Sequence, residues 1–137
     1  GRPQLAKLDA IVAERRRLAD RYAAALKDHP VFAPPVERPG RRSNWQSYSL
    51  RMRDGATIAQ VDAIQALVDR GIAAKRGIPN AHQEPAYAGK DNWSRAAGET
   101  LSVSERLRDR TVLVPLFHGM TTSEQDEVIA ALREIGS

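Results

Sequence analysis

The sequence contains no cysteine, which removes disulfides, thiolate nucleophiles and the thiolate classes of zinc site at once. The fold must therefore be held by packing alone. Aromatic residues are only 5% of the chain, and none interleaves with the arginines as base-stacking platforms would require. Neither GxGxxG nor GxxxxGK[ST] occurs, so phosphate-cradling glycine loops of those kinds are excluded. No G-x-S-x-G elbow presents a serine nucleophile. The histidines, His29, His82 and His118, lie tens of residues apart without a second ligand at helical spacing, and no metal site is expected. No apolar run approaches the roughly 20 residues of a membrane span, and no secretion signal is visible. A cytoplasmic location is the default expectation.

What is present fits one domain. A chain of 137 residues buries roughly two-thirds of its unfolded surface around a modest core. The net charge of +4 comes from arginine and would suit an anionic small molecule or a polyanion, although an ordinary basic surface explains it as well.

Hydrophobic spacing then supplies the elements. Leu5, Leu8, Ile11, Val12, Leu18, Ala19, Tyr22 and Leu26 recur at three- and four-residue steps, which predicts a long amphipathic N-terminal helix ending at or before His29, because Pro30 disfavours helical geometry in the residue ahead of it. Residues 30–44 form a Pro- and Arg-rich connection, expected to cross the surface in extended form. From Trp45 to Arg53 the pattern alternates, with Tyr48, Leu50 and Met52 on one face and Ser47, Ser49 and Arg51 on the other: a half-buried strand.

Three Ser/Thr residues each precede a Gln or Glu by three positions, the signature of a capping box. Thr57 with Gln60 is expected to open a helix with Val61, Ile64, Leu67 and Val68 facing the core and Gly71 as its left-handed cap. Ser102 with Glu105 marks a short helix carrying Val103 and Leu107. Thr122 with Gln125 opens a last helix striped by Val128, Ile129, Leu132 and Ile135. Short strands are expected at Ile72–Arg76 and Val112–Leu116. The string predicts a mixed α/β (α+β) domain in which helices cover one face of a three-stranded, mixed or antiparallel sheet.

The most distinctive stretch is KRGIPNAHQEPAY, from Lys75 to Tyr87, an irregular loop after a strand; such loops carry function disproportionately. Lys75 and Arg76 offer charge-assisted hydrogen bonds to a phosphate or carboxylate, and His82 can bond a phosphate or a sugar hydroxyl. Each also has a plainer role, as a solvated strand end or a backbone-bonded loop histidine.

Several motifs together carry a family resemblance. GRPQLAKLD, with Gly1, Gln4, Leu5, Leu8 and Asp9, resembles the N-terminal helix of this region in the DegT/DnrJ/EryC1/StrS family of pyridoxal-phosphate sugar aminotransferases. SNWQSYSLRM is similar to that family's following strand, RGIAAKRGIPNAHQEPAY to its loop, and SVSERLRDRTVLVPLFHGMTTSEQDEVIAAL to its closing segment, in which a Ser-Glu helix leads to a Leu-Pro-Leu strand and a terminal helix. The resemblance implies that residues 1–137 are the small C-terminal domain of a homodimeric fold-type-I enzyme that moves an amino group from glutamate to a nucleotide-linked keto sugar. In that family the larger domain holds the lysine that forms the cofactor's Schiff base. Lys7, Lys27, Lys75 and Lys90 do not match it, so no catalytic residue and no bound cofactor are expected here, and the chain alone should not transaminate.

The loop from Lys75 to Tyr87 is implied to line the sugar-nucleotide pocket, with Arg76, His82, Lys75, Asn80 and Tyr87 as candidate contacts. His82, Pro85 and Tyr87 match the family pattern. Gly77 and Ile78 stand where a His-Tyr pair is common, and Asn80 replaces a proline, a version closer to the perosamine-synthase-like branch. Two alternatives stand beside this reading: a basic module for nucleic acid or an acidic protein, and an interaction domain that dimerises through its long N-terminal helix.

Overall fold

The longest element of the computed structural model, which describes residues 5–87 and 100–136, forms where the spacing requires it. Helix α1 spans Leu8–Ala25, and its C-terminal half buries Leu18, Ala19 and Tyr22, with Leu26 just beyond. Its first turns do not reach the core: Leu5 and Leu8 are 68% and 49% exposed. The helix stops short of Pro30, Leu26 donating its N–H to Tyr22 O at 3.0 Å. Gly1 and Gln4 lie outside the described residues, as does Lys90.

Four strands form one sheet: β1 (Phe32–Ala33), β2 (Tyr48–Met52), β3 (Lys75–Arg76) and β4 (Thr111–Val114). Their order is β1-β2-β4-β3, with every neighbouring pair antiparallel. The three expected strands are all present. The fourth, β1, comes from the start of the connection expected only to cross the surface, where Phe32 pairs with Met52. Pro34 and Pro35 lack the N–H that a longer ladder would need, which keeps this edge strand to two residues.

On one face of the sheet, Tyr48, Leu50 and Met52 of β2 and Val112 and Val114 of β4 are buried. Helices α1, α2 (Gln60–Val68) and α4 (Thr122–Glu134) cover them, contributing Leu18 and Tyr22, Ala63 and Leu67, and Val128, Ile129 and Leu132. Each Val, Leu, Ile or Met among them is worth about 1.5–3 kcal/mol once removed from water. The Tyr22 and Tyr48 rings stack with centroids 5.1 Å apart. Their hydroxyls donate to Pro115 O (2.8 Å) and Ala19 O (3.3 Å), so burial, which pushes both phenols above their ordinary range, leaves no bond unmade.

Helix α2 departs from its expected phase. It begins at Gln60, with Ala59 as N-cap and no side-chain cap, and its inward residues are Gln60, Ala63 and Leu67, while Val61 and Val68 are 54% and 45% exposed. The cause is Gln60, whose Nε2 donates to Arg108 O (2.9 Å) and Thr111 O (2.7 Å). Turning that residue inward rotates Val61, one step of about 100° later, toward solvent. Gly71 ends the helix as expected, at φ +76, with Ile72 N–H bonded to Leu67 O at 3.0 Å.

Candidate functional site

The other face of the sheet is not covered in the same way. Ser49 of β2, Leu113 of β4 and Lys75 of β3 lie in one row across it. Helix α3 (Ser102–Arg110) flanks this row but has no buried residue. Between helix and sheet runs a cleft of about 390 Å³, lined by polar Ser47, Ser49, Asn80, Ser104, Arg108 and Thr111 and by apolar Ile78, Leu107 and Leu113. It adjoins a larger, open cavity of about 900 Å³ that shares Ser47, Ile78 and Leu113 and extends past Lys75 to Phe117 and Met120. Hydroxyls, an amide and a guanidinium interspersed with apolar side chains suit a ring that carries both hydroxyl groups and C–H faces.

The loop enters this site at Gly77. That residue is buried, donates its N–H to Thr111 O at 3.1 Å, and a Cβ there would overlap Thr111 Oγ1. Only glycine lets the strand end lie so close to β4. Ile78 then emerges 84% exposed, and the chain turns through a short 3-10 helix, Ala81–Gln83.

The five candidate residues part company here. Lys75 shares the open face with Ser49 and Leu113, whereas Arg76 is opposite Val112 and therefore points toward the other face, since adjacent strand residues alternate. Asn80 lines the cleft. Its Oδ1 accepts from Ser104 Oγ (2.8 Å) and its Nδ2 donates to Gln83 Oε1 (2.9 Å). His82 is turned against α3, its Nε2 3.0 Å from Glu105 Oε1, with its side chain only 14% exposed. Tyr87, 46% exposed, ends the described part of the loop.

The remaining histidines are structural. His29 is buried; its Nδ1 accepts the N–H groups of Val31 and Phe32, both at 3.1 Å, so Nε2 carries the proton and donates to Leu132 O at 2.8 Å. Burial, aided by the nearby Arg53 and Arg133 charges and opposed by the Leu132 bond, holds this ring below the ordinary 6.5. His118 Nδ1 lies 2.5 Å from Glu14 Oε2, and the same carboxylate accepts Gly119 N–H at 3.2 Å, tying α1 to the turn after β4. Among the described residues no His, Asp or Glu cluster could hold a metal ion.

Comparison with known proteins gives this geometry a context. The model of the DegT/DnrJ/EryC1/StrS aminotransferase family matches residues 1–133. The chain belongs to that family. Among solved structures, a DegT DnrJ EryC1 StrS aminotransferase from Brucella abortus is 30% identical, with a TM-score of 0.81 over 98% of this chain and 34% of its own. S. venezuelae DesV, solved in complex with a ketimine intermediate, is 27% identical, with a TM-score of 0.82 over 97% and 34%. The aminotransferase TlmJ from Streptoalloteichus hindustanus is 25% identical, with a TM-score of 0.82 over 98% and 34%. The chain thus spans about a third of the length of each of these solved structures.

The family implies pyridoxal phosphate, which needs an imine-forming lysine in a sheltered site. The described lysines of this family member, Lys7, Lys27 and Lys75, are all exposed. They do not fit that role, and no cofactor-holding residue is assigned here. The residues that sequence reasoning missed are Ser47, Ser49, Ser104, Arg108 and Glu105. The alternation of β2 had already put the two serines on the face away from the core; nothing local marks Arg108.

Proposed function

We propose that this chain is the small C-terminal domain of a pyridoxal-phosphate-dependent nucleotide-sugar aminotransferase, and that the face formed by β2, β4, α3 and the loop after β3 is one wall of its sugar-nucleotide pocket. The complete enzyme transfers an amino group from glutamate to a keto sugar, works in the cytoplasm as a homodimer, and belongs with the perosamine-synthase-like branch through its Arg76-Gly77-Ile78 loop. The domain by itself does not transaminate. The observation that carries this reading is the family match over residues 1–133, joined to sugar-suited chemistry in the cleft beside the motif loop.

In the complete enzyme this domain binds and orients the sugar nucleotide. Ser47, Ser49 and Ser104 meet hydroxyl groups, Leu113 and Ile78 pack against the ring, and Arg108 and Lys75 meet anionic oxygens. Replacing Arg108 with Ala in the full-length enzyme should raise KM for the sugar nucleotide about ten-fold, the worth of a charge-assisted hydrogen bond, with little change in kcat. Unchanged KM in both Arg108→Ala and Lys75→Ala would overturn the assignment of this face, and turnover by the isolated domain would overturn its dependence on a larger partner.

A further inference from the structure

Among the described residues, the turn at 79–84 has little apolar anchoring. Ile78 and Ala81 are exposed, and the local backbone bonds, Gln83 N–H to Asn80 O (3.0 Å) and Glu84 N–H to Ala81 O (3.1 Å), are internal to the turn. Ordering such a segment costs about 1–2 kcal/mol per residue in backbone entropy alone. Among the described residues, side-chain bonds attach it to two consecutive residues of α3. Ser104 Oγ donates to Asn80 Oδ1, and His82 Nε2 meets Glu105 Oε1. Because a carboxylate only accepts, Nε2 must be the protonated nitrogen, and the bond is charge-assisted. It is also partly shielded, His82 being 14% and Glu105 38% exposed at the side chain. Two attachments, spaced two residues apart on the turn and one apart on the helix, fix both its position and its rotation.

We propose that Glu105 is a positioning residue for sugar-nucleotide binding. It acts through His82, holding the 79–84 turn against α3 so that the Asn80 edge of the cleft is built before ligand arrives. The proposal rests on the pocket assignment above. Preorganisation of this kind lowers the entropy lost on binding, so its removal weakens binding while leaving distant chemistry alone. A Ser-Glu pair at the start of α3 thereby gains a role that helix capping does not explain, since α3 has no side-chain cap.

The test uses the full-length enzyme. Glu105→Ala should raise KM for the sugar nucleotide about ten-fold with kcat held within about two-fold, the scale of one charge-assisted hydrogen bond. Glu105→Gln, whose amide oxygen still accepts from Nε2–H, should restore most of the affinity. The double variant His82→Ala/Glu105→Ala should be no worse than His82→Ala alone, because the two residues act as one unit. Should Glu105→Ala fail to fold, Glu105→Asp replaces it: one methylene shorter, it should lose the bond and raise KM where Gln does not. Additive effects in the double variant, or a Gln variant as impaired as Ala, would overturn the proposal. If Arg108→Ala or Lys75→Ala raises KM and no Glu105 variant does, this inference fails and the pocket assignment stands; if none of these variants does, the assignment itself fails.

Discussion

Helices α3 and α4 begin with nearly the same local instruction, a Ser/Thr followed three residues on by Glu, and they end up in opposite situations. In α4 a cap is made, one residue before the expected Thr122–Gln125 pair: Thr121 Oγ1 accepts Glu124 N–H at 3.2 Å, and Glu124 Oε2 accepts Thr121 N–H at 2.7 Å. Those bonds hold the Glu124 carboxyl below its ordinary range. The helix then buries Gln125, Val128, Ile129, Ala131 and Leu132. In α3 Ser102 caps nothing, no residue is buried, and Glu105 reaches across to His82 instead. One helix is scaffold, and the other presents side chains to a cleft. A capping signature is thus a statement of local possibility, and the tertiary partner decides which bond the carboxylate makes.

This contrast breaks or sharpens on three measurements, taken in order of size. Leu132→Ala removes a side chain with 0% exposure from beneath α4 and should cost about 2–5 kcal/mol in urea unfolding. Leu107→Ala, 40% exposed on α3, should cost less than about 1 kcal/mol. Similar losses would erase the distinction between the two helices. Next, Thr121→Ala should cost about 1 kcal/mol by loss of the cap, while Ser102→Ala should leave the unfolding midpoint within error; a clear loss at Ser102 would mean that α3 is capped after all.

The smallest effect is a pH dependence centred on the contact between His29 and α4. Because burial depresses the ring's folded pKa below 6.5, the unfolded state binds the proton more readily. The stabilisation is complete above about pH 6.5 and is lost as pH falls toward the folded value, with a slope of at most about 1.4 kcal/mol per pH unit. Thermal melts of the native chain and of His29→Gln across pH 7.5 to 5.5 should show a steeper decline in the native chain. Parallel declines would mean that His29 is not the group responsible.

Much of the fold was legible because period and burial coincide. The alternation of Tyr48, Leu50 and Met52, the stripe of Val128, Ile129 and Leu132, and Gly71 at positive φ all follow from local rules that the packing leaves intact. Gln60, Gln125 and Glu105 read as capping-box partners and serve instead as long-range bridges, Gln125 through its Nε2 bond to Leu18 O at 2.7 Å. Period could not foresee this, since a Gln or Glu side chain long enough to reach its own helix end is long enough to reach a neighbouring element. The candidate site was half legible. Asn80 lines the cleft, Lys75 the adjoining cavity, and His82 is bonded to α3, but Arg76 alternates away from Lys75, and Arg108 joins only because α3 runs along the open face.

By itself, the sequence determined the element order, the apolar face of the sheet and the family, since each is written in residue types at fixed spacing. The tertiary structure alone decided that β1 would enter the sheet, that α2 would rotate about Gln60, and that Ser104 and Glu105 would hold a loop more than twenty residues away. Those outcomes rest on hydrogen bonds between groups distant in the chain. Their partners are chosen by proximity after packing, and a one-dimensional pattern carries no record of it.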